Sequence, residues 1–199
     1  MILLLAIAAG LLAGLAWARW RGQPYRLPEL QYLWLIFVAF LPQFIFIYLP
    51  IPRRFSPDWV AAGFLLASQI MLLAFVWLNR RIFAMTILLG GVVLNLAVMT
   101  ANGGFMPISP QTASRLVSED LLRDVHAGSR FGAKDILLNP EKTRFEWLAD
   151  RFLLPSWVPY QVAFSLGDVF IALGIFWLLT QPASSMQFRK QLLERGTFT

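Results

Sequence analysis

The sequence predicts an all-α fold: a polytopic membrane helix bundle of five transmembrane helices, with a long outer loop carrying short interfacial helices. Three observations predict it. Hydrophobic residues make up 58% of the 199 residues and charged ones only 14%, more apolar surface than a soluble domain of that size can hide. Several uninterrupted apolar runs are each long enough to cross about 30 Å of hydrocarbon. Most of the surplus cations behind the formal charge of +6 flank those runs, where they set topology and meet headgroups. No basic stripe with interleaved aromatics accompanies them, which argues against nucleic acid as a partner. The chain has no cysteine, so disulfides, thiolate metal sites and a cysteine nucleophile are excluded.

Residues 1–199 read as one integral membrane domain. The first span covers 2–18. Ala16-Trp17-Ala18 imitates a signal-peptidase site, but no cation precedes the run and Arg19, Arg21 and Arg26 follow it. That order marks a retained anchor with its N-terminus outside. The second span, 32–49, contains Pro42, which removes a backbone donor, and Gln43, placed to satisfy a freed carbonyl. Spans three (59–78) and four (82–100) are separated only by Asn79-Arg80-Arg81, which makes them an antiparallel hairpin. The fifth span covers 158–180, between an outer loop (101–157) and a cytoplasmic tail (181–199).

Cations fix the orientation. Three follow span one, two lie at Arg80 and Arg81, and three lie in the tail at Arg189, Lys190 and Arg195, leaving the short outer loop only Arg53 and Arg54. The long loop carries seven cations and seven anions and weighs little in the rule. The expected location is the bacterial cytoplasmic (inner) membrane, with the N-terminus outside and the C-terminus inside. Within the loop, Ser109-Pro110 reads as a cap and first-turn proline opening a helix through Val125. Asn139-Pro140-Glu141 repeats that signal, and Phe145, Leu148 and Phe152 then form an apolar stripe. Both helices are expected to lie on the outer face, apolar sides down.

Candidate chemistry centres on carboxylates. Asp168 sits in the apolar run Phe164 to Leu179, and an intramembrane acid faces a polar interior or a partner. The prolines before it delay the helix, which would leave Asp168 near a wet vestibule at its outer end. Arg151, Asn95 and Asn102 are its expected neighbours. Asp150 is the natural second carboxylate. On a helix from Pro140 it falls opposite the apolar stripe, beside Glu146, where a solvated acid would sit.

Asp150-Arg151, the segment Phe164-Ser165-Leu166-Gly167-Asp168 and Asn102-Gly103-Gly104-Phe105 resemble the paired aspartate motifs and the Asn-Gly element of lipoprotein signal peptidase, a membrane-embedded aspartyl protease. The resemblance implies that Asp150 and Asp168 share a proton, one activating water and the other protonating the leaving amide. The Asn and Ala of that family's second motif are absent here. A broader resemblance rests on five spans, Asn-Gly-Gly-Phe after the fourth, Glu-Trp-Leu-Ala-Asp in the loop and Phe-Ser-Leu-Gly-Asp opening the last. In these the chain resembles an uncharacterised bacterial integral-membrane family, domain of unknown function 5317. That resemblance implies the topology and no activity.

His126 is the only histidine, so neither two-histidine haem ligation nor an ordinary zinc site can form within the chain. No cofactor or metal is expected. A pigment or haem held by His126 with a partner chain is the remote alternative, and a bound lipid fits the class. Gln43, Gln69 and Asn95 read as polar glue between helices, and Gly10 and Gly14 as a close-packing face on span one. Three functional classes follow, in this order: an accessory or scaffold subunit of a larger membrane complex, an intramembrane aspartyl hydrolase using Asp150 and Asp168, and a small proton-linked transporter.

Overall fold

A computed structural model describes residues 2–48, 57–117, 126–132, 134–155, 158 and 161–181. The tail from 182 onward, the predicted outer turn at 49–56 and the Gln43 side chain lie outside the described residues. The chain is mostly helical, with helices α1 (Ile2–Trp20), α2 (Trp34–Tyr48), α3 (Asp58–Leu78) and α4 (Phe83–Ala101) before the loop. Strand β1 (Met106–Ile108), a short α5 (Pro110–Ala113), β2 (Arg130–Phe131), β3 (Asp135–Leu137), β4 (Phe152–Leu153) and β5 (Ala163–Phe164) build the loop, and α6 (Leu166–Thr180) closes it. Helices α1, α3 and α4 are long and apolar enough to cross a membrane. The other two predicted spans, α2 and α6, are apolar helices of 15 residues each. Over the described residues, at about 1.5 Å per residue, they reach about 22 Å, short of a full hydrocarbon core.

The long helices form a row in the order α1, α6, α4, α3, α2. Small residues let them approach. A Cβ built on Gly10 would touch Phe176 and Leu179, and one on Gly14 would overlap the Leu179 carbonyl. The face predicted on span one is therefore spent inside the chain. The same contacts show α1 and α6 running parallel, since a later residue in one meets a later residue in the other. A Cβ on Gly91 would lie 2.5 Å from the Gly167 carbonyl, and one on Gly174 would meet Leu88 and Ala84, so α4 and α6 cross almost backbone to backbone. At the tail end, Asn79 clamps the approach to α2: Gln31 N donates to Asn79 Oδ1 at 2.8 Å and Asn79 Nδ2 donates to the Gln31 carbonyl at 3.0 Å.

Short strands, not only helices, occupy the loop, which corrects the all-α expectation. Helix α4 ends where Gly103 and Gly104 turn with φ of 75° and 90°, and Gly104 N donates to the Met99 carbonyl at 2.7 Å. This left-handed C-terminal closure needs glycine. The chain then enters β1 fully buried, pairing parallel with β3, which pairs antiparallel with β2. Phe105 and Met106 pack with Ala61, Ala62 and Leu65 of α3, Val98 and Met99 of α4, and Leu148. The loop layer is thereby pinned onto the bundle's end. Arg130 Nε reaches Asp58 Oδ1 at 2.8 Å from the same layer.

The two predicted interfacial helices differ from expectation. Ser109 does cap a helix, accepting from Thr112 N at 3.1 Å, but the helix ends at Ala113, and 118–125 lie outside the described residues. From Pro140 the chain makes two single 3-10 turns, Pro140–Lys142 and Glu146–Leu148. Phe145 between them takes a left-handed φ of 55°, which breaks any continuous stripe. Leu148 is buried, whereas Phe152 lies on β4 and stacks on Phe164 of β5. The fifth predicted span also starts later, at Leu166, because Ala163–Phe164 is paired as a strand and Ser165 caps the helix.

Candidate functional site

Asp168 occupies the first turn of α6, and the local sequence explains why. Ser165 Oγ accepts from Asp168 N at 3.0 Å while Asp168 Oδ2 accepts from Ser165 N at 3.3 Å. This is a capping box with aspartate in the reciprocal position, set where the helix dipole favours an anion. Asn95 of α4 closes the ring: Ser165 Oγ donates to Asn95 Oδ1 at 2.9 Å, and Asn95 Nδ2 donates to Asp168 Oδ1 at 2.8 Å. Gly167 makes room, since any Cβ there would overlap the Asn95 amide. Of the three expected neighbours only Asn95 touches Asp168. Arg151 pairs with Glu146 at the surface. Asn102 holds the loop instead, giving Nδ2 to the Arg144 carbonyl at 2.8 Å and accepting Arg144 N at 3.0 Å.

Asp150 is not the solvated acid its periodicity suggested. It is 1% exposed. Strand β1 draws it in through an Asp150 N to Pro107 carbonyl bond at 3.0 Å, and holds Lys134 through a Met106 N to Lys134 carbonyl bond at 2.9 Å. Residues sixteen apart thus converge: Lys134 Nζ donates to Asp150 Oδ2 at 2.7 Å. The same ammonium lies 3.7 Å from Asp135 Oδ1 and 4.0 Å from Asp168 Oδ2. Asp150 and Asp168 therefore share one cation rather than facing each other alone.

One ammonium among three carboxyl groups sets the electrostatics. Burial pushes the Asp150 carboxyl up, Lys134 pulls it back, and Asp135 and Asp168 raise it again, leaving its pKa at about 7. Asp135 is also raised, first by burial and then by Asp168, against the pull of Lys134. Burial alone would lower Lys134, but Asp150, Asp135 and Asp168 outweigh it and hold the ammonium above its ordinary range. Such a cluster can hold or move a proton near neutral pH.

Below the cluster opens a cleft of about 570 Å³, lined by residues from all five long helices. Lys134, Asp135, Asn95 and Asp168 form its polar wall, and aliphatic side chains such as Leu88, Ile171 and Leu178 form most of the rest. Gln69 of α3 and Gln161 are the remaining polar residues of the lining. Oδ1 of Asp135, Oδ1 of Asp150 and Oε1 of Gln69 are buried with no hydrogen-bond partner among the described residues.

His126 is exposed in the loop, its carbonyl accepting from Ser129 Oγ at 2.6 Å. Among the described residues no group of three acidic, histidine or cysteine side chains is arranged to hold a metal. Lys134, Asp135 and Ser165 were missed by sequence reasoning. Ser165-x-x-Asp168 before an apolar run is a legible capping signal. Lys134 has no comparable mark, being one of seven cations in a charge-balanced loop. No curated protein and no solved structure matches the chain. A family profile does, over residues 28–180, and on that match the chain belongs to the family of unknown function DUF5317.

Proposed function

We propose that this chain is a multi-pass membrane protein whose loop-end cleft binds a membrane amphiphile, polar head at Lys134, Asp135 and Asp168, apolar tail between the helices. The observation that carries this reading is the pairing of a buried, incompletely satisfied charge cluster with an apolar cleft directly beneath it. Largely apolar pockets with a few convergent polar groups are the usual form of a small-molecule site. Outward faces as apolar as those of Leu12 and Phe37, 69% and 76% exposed, support lipid around the helices. In this reading the N-terminus and the loop lie outside the cytoplasmic membrane and the tail inside. An accessory role in a larger complex fits the same exterior, but the buried charges ask for more than packing.

The test is electron paramagnetic resonance of a lipid spin-labelled on its acyl chain, with the full chain in nanodiscs. An immobilised component that disappears in Ile171→Trp, which fills the cleft, and in Lys134→Met is expected. An equal component in all three proteins would end the reading.

A second reading is hydrolysis of the bound amphiphile by acid–base chemistry, favoured by the position of the Asp150 carboxyl near pH 7. It requires that Asp150→Asn and Asp168→Asn each cost about 10²-fold or more in turnover while lipid binding persists. Turnover that survives both substitutions excludes it.

A further inference from the structure

The unpartnered atoms narrow the chemistry of the head group. Asp135 Oδ1, Asp150 Oδ1 and, deeper, Gln69 Oε1 are all acceptors. The donors beside them are already engaged: Asn95 Nδ2 on Asp168, Ser165 Oγ on Asn95 and Lys134 Nζ on Asp150. With its carboxyls ionised, what the site lacks is a donor. It also lacks positive charge, since one ammonium faces three carboxyl groups within 4.0 Å. A head offering only phosphate or carboxylate would bring more acceptors and more negative charge into a site rich in both. A quaternary ammonium would bring charge but no N–H, leaving buried acceptors unsatisfied, which is costly. A primary ammonium supplies three N–H donors and one positive charge.

We propose that the cleft selects a membrane lipid whose head carries a primary ammonium, seated against the Asp135 and Asp168 carboxyls that line the cleft beside Lys134, with Asp150 buried behind them. The inference rests on the amphiphile-binding reading above and specifies its ligand class. Lys134 then acts as a fixed counter-cation that keeps the site from accepting more than one guest charge. The charged groups around the seat are Lys134 and Asp135 from the β-layer, Asp150 beside β1 and Asp168 from α6; α4 and α3 contribute the neutral Asn95 and Gln69. A cationic guest favours the ionised carboxyls, so retention rises as pH increases through about 7, where Asp150 titrates. An anionic guest would show the opposite slope.

The experiment reconstitutes the full chain in vesicles of equal parts phosphatidylethanolamine, phosphatidylcholine and phosphatidylglycerol, extracts it gently and counts retained lipids by mass spectrometry. The ethanolamine lipid should be retained about tenfold over the choline lipid, the worth of one charge-assisted hydrogen bond. That preference should rise from pH 6 to pH 8 and vanish in Asp150→Asn and Asp135→Asn, each of which turns an acceptor into a donor. Should Asp150→Asn not elute as a single species, Asp135→Asn and the wild-type pH series carry the comparison. Cluster-dependent retention of the glycerol lipid, or equal retention of the ethanolamine and choline lipids, overturns the inference and leaves amphiphile binding standing. Retention indifferent to both substitutions and to pH overturns the inference and the amphiphile reading together.

Discussion

A carboxyl that loses water and shares one ammonium with two other carboxyls resists ionisation, and Asp150 is that group. Its folded pKa of about 7 lies above the value of about 3.9 it takes in an unfolded chain. The native state therefore holds a proton that the unfolded state releases between about pH 4 and pH 7, and stability falls as pH rises through that window. Asp135, raised by the same burial, adds to the slope. Thermal unfolding of the wild type should shift to lower temperature from pH 5 to pH 8, and Asp150→Asn should flatten that dependence. Lys134→Met tests the other side. Removing one partner of a buried pair costs about 3–5 kcal/mol; because the Lys134 side chain is 43% exposed, the lower end is expected. The loss should be largest at pH 8 and smaller at pH 5, where Asp150 takes up a proton. A loss independent of pH would mean that Lys134 contributes packing rather than charge.

At the scale of elements, the site exists because α4 and α6 come close enough for Asn95 to bridge Ser165 and Asp168. Gly167 and Gly91 permit that approach. Gly167→Ala should cost at least the 1–3 kcal/mol typical of overpacking, read by chemical or thermal unfolding in detergent. Gly63, on α3 with nothing within 4 Å of an added Cβ, provides the contrast: Gly63→Ala should stabilise by up to about 1 kcal/mol through helix propensity. Equal effects at the two positions would place the close approach elsewhere. The Ser109 cap with its following proline and the apolar runs were legible because their signals are local. The β-layer was not, because its order comes from distant backbone: Asn102 holds Arg144, and β1 holds both Lys134 and Asp150. A helical reading from Pro140 therefore put Asp150 in solvent, whereas the turn from Pro140 ends at Lys142 and Phe145 then takes a left-handed conformation.

For the whole molecule, composition made the apolar helices plain but could not reveal the cleft, which takes lining residues from all five long helices. The direction of the helix row carries a further consequence. With α1 and α6 parallel and the hairpin of α3 and α4 between successive turns, the start of α1, the end of α4 and the start of α6 share one end of the bundle. The β-layer covers that end, while Arg21 and Arg80 mark the other. A membrane sorts these ends by the cation excess, which belongs on the cytoplasmic side, so the charge cluster should open outward. The absence of native cysteine makes this directly measurable. Single substitutions Lys142→Cys in the loop and Arg80→Cys in the hairpin, both at exposed positions, can be treated with a membrane-impermeant maleimide in intact bacterial cells. Lys142→Cys should label at once and Arg80→Cys only after lysis. The reverse pattern would turn the molecule over and give the Lys134 cluster access to the inner leaflet, so that any lipid it selects would be drawn from the cytoplasmic side.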